Sequence, residues 1–117
     1  MQSFKYAFNG LRILLCEECN ARIHLCITIC VLAMGFVFKI SVGEWIAVIL
    51  CIGFVFALEL INTSIENMAD FASKEYNDLI KKTKDLAAGA VLIGAIAAVI
   101  TGLIIFVPKI IELLYSV

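Results

Sequence analysis

Between Asp85 and Pro108 the chain runs for 22 residues, Leu86 to Val107, without a charged side chain. As a helix that run is about 33 Å long, enough to cross the hydrocarbon core of a bilayer unaided. Composition points the same way. Hydrophobic residues make up 63% of the 117 and the mean hydropathy is +1.06, whereas soluble domains hold roughly 45–50% apolar residues. A soluble core of this size has no room for so much apolar surface. The expected class is an all-α integral membrane protein with one domain, 1–117.

Two shorter apolar runs precede the long one, Ile23 to Phe38 and Trp45 to Leu58. Each reaches across a bilayer only if its helix continues into polar residues at one end. The first must extend backward through Arg22 and Glu18, the second forward through Glu59 and Glu66. Both extensions put carboxylates at the same membrane face. The short link from Lys39 to Glu44 suits an antiparallel hairpin. Ahead of these runs, Phe4, Phe8, Leu11 and Leu15 recur at helical spacing among Lys5, Arg12, Glu17 and Glu18. That pattern predicts an amphipathic helix in the interface over 1–22. The expected spans are 23–38, 45–66 and 86–108, with 71–85 as a loop. Lys81, Lys82 and Lys84 lie in that loop, and Lys5, Arg12 and Arg22 precede the first span. The positive-inside rule places the N-terminus and the loop in the cytoplasm and the C-terminus outside. No nucleic-acid partner is expected.

Chemistry concentrates after the second run. Glu59, Asn62, Glu66 and Asp70 follow one another at spacings of three, four and four residues, so they share one helix face. Ionisable groups at such depth are rare and usually functional. Glu59 lies roughly 10 Å deeper than Glu66. Glu17, Glu18, Arg22, His24, Glu75, Asn77, Lys84 and Asp85 are expected at the same membrane face. Carboxylates suit a hard divalent cation, lysines suit phosphate, and a deep carboxylate suits proton abstraction from a membrane hydroxyl. Together they form the kit of phosphoryl transfer, although no Walker A or GxGxxG pattern is present. A proton or cation relay, or a set of structural bundle contacts, uses the same groups. The five cysteines, Cys16, Cys19, Cys26, Cys30 and Cys51, read as small apolar filler, since no second ligand pair accompanies Cys16 and Cys19. His24, the single histidine, reads as a supporting or interfacial residue.

The residues also resemble a family. Glu59-Leu-Ile-Asn62-Thr63-Ser64-Ile65-Glu66, Asp70 and Lys84-Asp85-Leu-Ala-Ala-Gly-Ala-Val are similar to the signature of the prokaryotic diacylglycerol kinases, small three-span lipid kinases. Phe4-Lys-Tyr6-Ala7-Phe8-Asn-Gly10 and Glu18-Cys-Asn20-Ala-Arg22-Ile-His24 extend the resemblance. Phe38 to Trp45 and Thr101 to Lys109 resemble the undecaprenol kinase branch most.

The resemblance implies a homotrimer with active sites shared between subunits in a bacterial plasma membrane, using ATP and Mg²⁺. It implies phosphorylation of the terminal hydroxyl of undecaprenol, or alternatively of diacylglycerol. A small proton-coupled transporter or channel is the reading from a different class. Glu59 matches the proton acceptor, and Glu18 and Glu66 match the carboxylates that hold the metal. Tyr6, Glu75, Tyr76, Asn77, Lys84 and Asp85 fall where the family contacts the nucleotide. Asn62 and Asp70 match residues that brace the site, and Lys84 neutralises the transferred charge. Some members have an additional basic N-terminal segment with an arginine near the phosphates. That leaves Lys5 or Arg12, or no residue, to take its place here.

Overall fold

A computed structural model describes residues 2–73, 75 and 77–117, and every regular element among them is an α-helix: α1 (Gln2–Glu17), α2 (Cys19–Phe38), α3 (Val42–Ala72) and α4 (Asp78–Ser116). The last three are each long and apolar enough to cross a membrane. They carry apolar side chains on the outside, with Ile93 and Ile104 each 70% exposed and Phe54 56%. Lipid, rather than water, is the solvent such a surface suits. The cysteines are all free.

α1 and α2 are almost one helix. Glu18 interrupts them with extended backbone, φ −104° and ψ 114°, while its N–H still donates to the Leu14 carbonyl at 2.9 Å. Leu14 and Ala21, on either side of the break, are fully buried. α2 ends where Lys39 turns left-handed at φ 53°, which lets the Ile40 N–H donate back to the Gly35 carbonyl at 3.1 Å. α3 then starts on a capping box: Ser41 Oγ accepts from the Glu44 N–H at 3.2 Å, and Glu44 Oε1 accepts from the Ser41 N–H at 2.9 Å. The hairpin closes because residue 35 has no side chain. A Cβ there would meet Trp45 Cη2 at 2.6 Å. Ile40, Val48, Ile105 and Phe106 form the buried cluster beside this turn.

α3 and α4 pack along their length. At Gly94 a Cβ would come within 2.5 Å of Leu58 Cδ1, so this position sets how closely the two axes approach. Lys109 Nζ lies 3.2 Å from Glu44 Oε1, tying α4 back to the start of α3.

The helices outrun the spans expected from hydropathy. The predicted span 45–66 lies within a helix running from Val42 to Ala72, and 86–108 within one from Asp78 to Ser116. The expected loop 71–85 shrinks to the residues between Ala72 and Asp78. Hydropathy marks where lipid stops, not where backbone hydrogen bonding stops. Asn77 Oδ1 caps α4 by accepting from the Leu79 N–H at 2.8 Å, and Lys81 pairs with Asp85 at 2.6 Å along the same helix face. α4 has 39 residues and is therefore about 58 Å long, which accounts for the longest molecular dimension of 59 Å. At the N-terminus, the segment 1–22 divides at Glu18, and its last residues belong to α2.

Candidate active site

The α3 stripe begins in the packed interior and ends in the open. Glu59 is 5% exposed and Thr63 8%. Asn62 and Glu66 are half-buried, and Asp70 is exposed. Asn62 Nδ2 donates to Glu66 Oε1 at 3.4 Å, one turn apart, while Asn62 Oδ1 is buried without a hydrogen-bond partner. An unpaired buried acceptor is costly, which makes Asn62 Oδ1 a candidate to receive a donor from outside the chain.

Glu59 does have a neighbour. His24 Nδ1, from α2, lies 3.0 Å from Glu59 Oε1. The approach is within ion-pair distance but lacks the alignment of a hydrogen bond. His24 was legible in the sequence only by an argument across helices. α2 and α3 are antiparallel neighbours, so six residues beyond Glu18 and seven residues before Glu66 are nearly the same depth. The His24 ring also lines an apolar cavity of about 390 Å³ between α2, α3 and α4, with Ile27, Val31, Ile52, Val55 and Val99 among its walls.

The outer half of the site is a recess of about 570 Å³ where α3 ends and α4 begins. Asp70, Ser73, Glu75, Asn77, Ile80, Lys81, Lys84 and Asp85 line it. Five residues singled out in the sequence, Asp70, Glu75, Asn77, Lys84 and Asp85, thus meet in one place. Lys84 bonds Asp70 across the helix junction, and Lys81 bonds Asp85. An ammonium has three donors, so each lysine can hold its carboxylate and still donate to an anion. Tyr76 lies outside the described residues.

Other expected site residues do not line that recess. Tyr6 projects from α1, 68% exposed. Glu18 sits half-buried at the α1–α2 break, and its carboxylate makes no capping bond to α2. Among the described residues no three His, Cys, Asp or Glu side chains gather as a metal site. Glu18 and Glu66 nonetheless have the chemistry for Mg²⁺, which takes one or two protein carboxylates and completes its shell with waters and substrate phosphates.

The Glu59–Asp70 stripe and the recess of paired lysines and acids both lie within a region shared with known proteins. A model of the family described as prokaryotic diacylglycerol kinase matches residues 5–106. The chain belongs to the prokaryotic diacylglycerol kinase family. Within that family it is 40% identical over 108 residues to the undecaprenol kinase of Bacillus subtilis, covering 92% of this chain and 88% of that one. It is 34% identical over 113 residues to a diacylglycerol kinase of Synechocystis, covering 96% of this chain and 65% of the other. A diacylglycerol kinase of Helicobacter pylori is 37% identical over 92 residues, 78% of this chain and 71% of its own length.

Proposed function

We propose that this protein transfers the γ-phosphoryl group of ATP to the terminal hydroxyl of undecaprenol. The family is one of ATP-dependent lipid kinases, which sets an enzyme above a transporter or channel. The carrying observation is the stripe itself: one helix joins a carboxylate at 5% exposure to an open recess lined by Lys81 and Lys84. A lipid hydroxyl and a water-soluble nucleotide need those two environments, here eleven residues or about 16 Å apart along one helix.

In this reading Glu59 accepts the hydroxyl proton. The lipid oxygen forms a bond to the γ-phosphorus as the bond to the β–γ bridging oxygen breaks, and ADP leaves. Lys84, held by Asp70, neutralises charge on the transferred group, and Asn62 braces Glu66. Tyr6, Glu75, Tyr76, Asn77 and Asp85 contact the nucleotide together with Lys84. Glu18 and Glu66 would hold Mg²⁺, which when bound neutralises phosphate charge and orients the triphosphate. A homotrimer in which subunits share sites would let Tyr6 and Glu18, which lie outside the recess, serve a neighbouring subunit's nucleotide. α1 lies in the membrane interface, with Phe4 and Phe8 exposed and Lys5 and Arg12 on the same helix. The lysines of the recess support a cytoplasmic site and a cytoplasmic N-terminus in a bacterial plasma membrane, by the positive-inside rule.

Undecaprenol is favoured over diacylglycerol by the apolar character of the cavity beside Glu59, which offers few donors for ester carbonyls. The 40% identity to an undecaprenol kinase over most of both chains supports the same choice. Phosphorylation of the two lipids side by side in matched mixed micelles tests it. The expected kcat/KM is about tenfold or more higher on undecaprenol, a difference worth ~1.4 kcal/mol. A ratio at or below one assigns diacylglycerol as the acceptor and leaves the site roles standing.

A further inference from the structure

We propose that His24 is a positioning residue for the reaction: its Nδ1–H holds Glu59 Oε1 and so aims the other carboxylate oxygen at the acceptor hydroxyl. This rests on the reading of Glu59 as proton acceptor.

Burial makes such a partner necessary. A carboxylate removed from water is costly unless it is paired with a donor. Glu59 has a side chain 6% exposed, and among the described residues its ion-pair partner is His24 at 3.0 Å. A neutral imidazole carries one ring proton, and only the tautomer with it on Nδ1 offers Oε1 a donor, the ring turning to bring the two into line. On Nδ1 that proton leaves the carboxylate ionised, as a proton acceptor requires. The contact joins α2 to α3, so the carboxylate is restrained by a second helix and not only by its own backbone. Freezing one carboxylate oxygen leaves fewer orientations for the other, and proton abstraction depends steeply on that geometry.

His24 is also placed to couple the acceptor to the base. Its ring lines the apolar cavity of about 390 Å³ between α2, α3 and α4. One side chain therefore touches both the apolar space and the carboxylate. Nδ1 is buried and makes no aligned hydrogen bond elsewhere, so no other group competes for it. The imperfect alignment suits a free enzyme, in which such bonds tighten when substrate binds.

The test uses the full chain in mixed micelles with ATP and undecaprenol. His24→Leu keeps bulk and removes the donor. Its kcat is expected to fall about tenfold or more while the KM for ATP stays within roughly twofold, because the nucleotide recess is untouched. His24→Asn restores an N–H near the Nδ1 position and is expected to bring kcat back to within about threefold of wild type. His24→Gln places its N–H further out, near Nε2, and is expected to rescue several-fold less. Combined with Glu59→Gln, His24→Leu is expected to add no further loss, since the group it positions is already disabled.

A His24→Leu kcat within twofold of wild type overturns the proposal. So does an additive loss in the double variant. Where His24→Leu does not fold, the Asn and Gln variants decide: equal rates overturn the positioning role. Wild-type turnover in Glu59→Gln alone refutes the base itself, whatever the His24 variants do.

Discussion

The two ends of the α3–α4 pair carry similar charges and use them differently. At one end Glu44 completes the capping box with Ser41 and takes Lys109 at 3.2 Å. Trp45 fills the gap left by Gly35, and Ile40, Val48, Ile105 and Phe106 seal the turn. Every polar group named there has a partner, and the partners are the chain's own. At the other end Lys84 takes Asp70 in a comparable bond, but around it the arrangement is unfinished. Asn62 Oδ1 is buried without a hydrogen bond, and His24 Nδ1 sits near Glu59 out of alignment. The Glu18 carboxylate leaves the start of α2 uncapped. Local rules are broken where a protein keeps groups for a ligand and obeyed where it only needs to hold together. In the proposed reading a lysine–carboxylate pair is a clamp at one end and a poised charge at the other.

The sharpest way to break this contrast is at the deepest group. Glu59→Gln keeps shape and hydrogen bonding but cannot accept a proton. Turnover should fall by ~10²–10⁴-fold, the usual worth of a general base, with little change in ATP binding. Near-normal turnover would make the deep carboxylate as structural as Glu44.

A smaller effect comes from the two carboxylates assigned to the metal. Glu18→Gln and Glu66→Gln should each raise the Mg²⁺ concentration needed for half-maximal activity. The double variant should lose clearly less than the product of the single losses, since the groups act on one ion. Independent losses with unchanged Mg²⁺ titrations would separate Glu18 from Glu66.

The mildest comparison sets lysine against lysine. Lys84→Met should lower turnover about tenfold, because it removes charge from the recess. Lys109→Met should leave turnover within roughly twofold and lower stability only slightly, since a partly exposed ion pair is worth little. Equal activity losses measured on purified protein would erase the functional difference between the ends.

Membrane class, the number of spans and the carboxylate stripe could all be read without coordinates. Each depends on neighbours in the chain. A 22-residue uncharged run is a local property, and spacings of three and four residues place Glu59, Asn62, Glu66 and Asp70 on one face of any α-helix. The cluster of Glu75, Asn77, Lys84 and Asp85 was foreseeable because all four flank one short link. The start of α4 was not legible for a related reason: capping by Asn77 and the Lys81–Asp85 pair extend α4 past the apolar boundary, and hydropathy does not register them.

Pairings between helices are of another kind. His24 meets Glu59, and Lys84 meets Asp70, only at one axial offset and one rotation of helices that are remote in sequence. Those two quantities are set by apolar packing: Trp45 against Gly35, Leu58, beside Glu59, against Gly94, and the cluster of Ile40, Val48, Ile105 and Phe106. A change of one residue in the offset would move His24 by about 1.5 Å along its axis and 100° around it, and the contact would be gone. Periodicity along one helix carries no information about its rotation relative to a neighbour, so the groups of the stripe were visible in the chain and the partner of its buried carboxylate came from the packing of the helices.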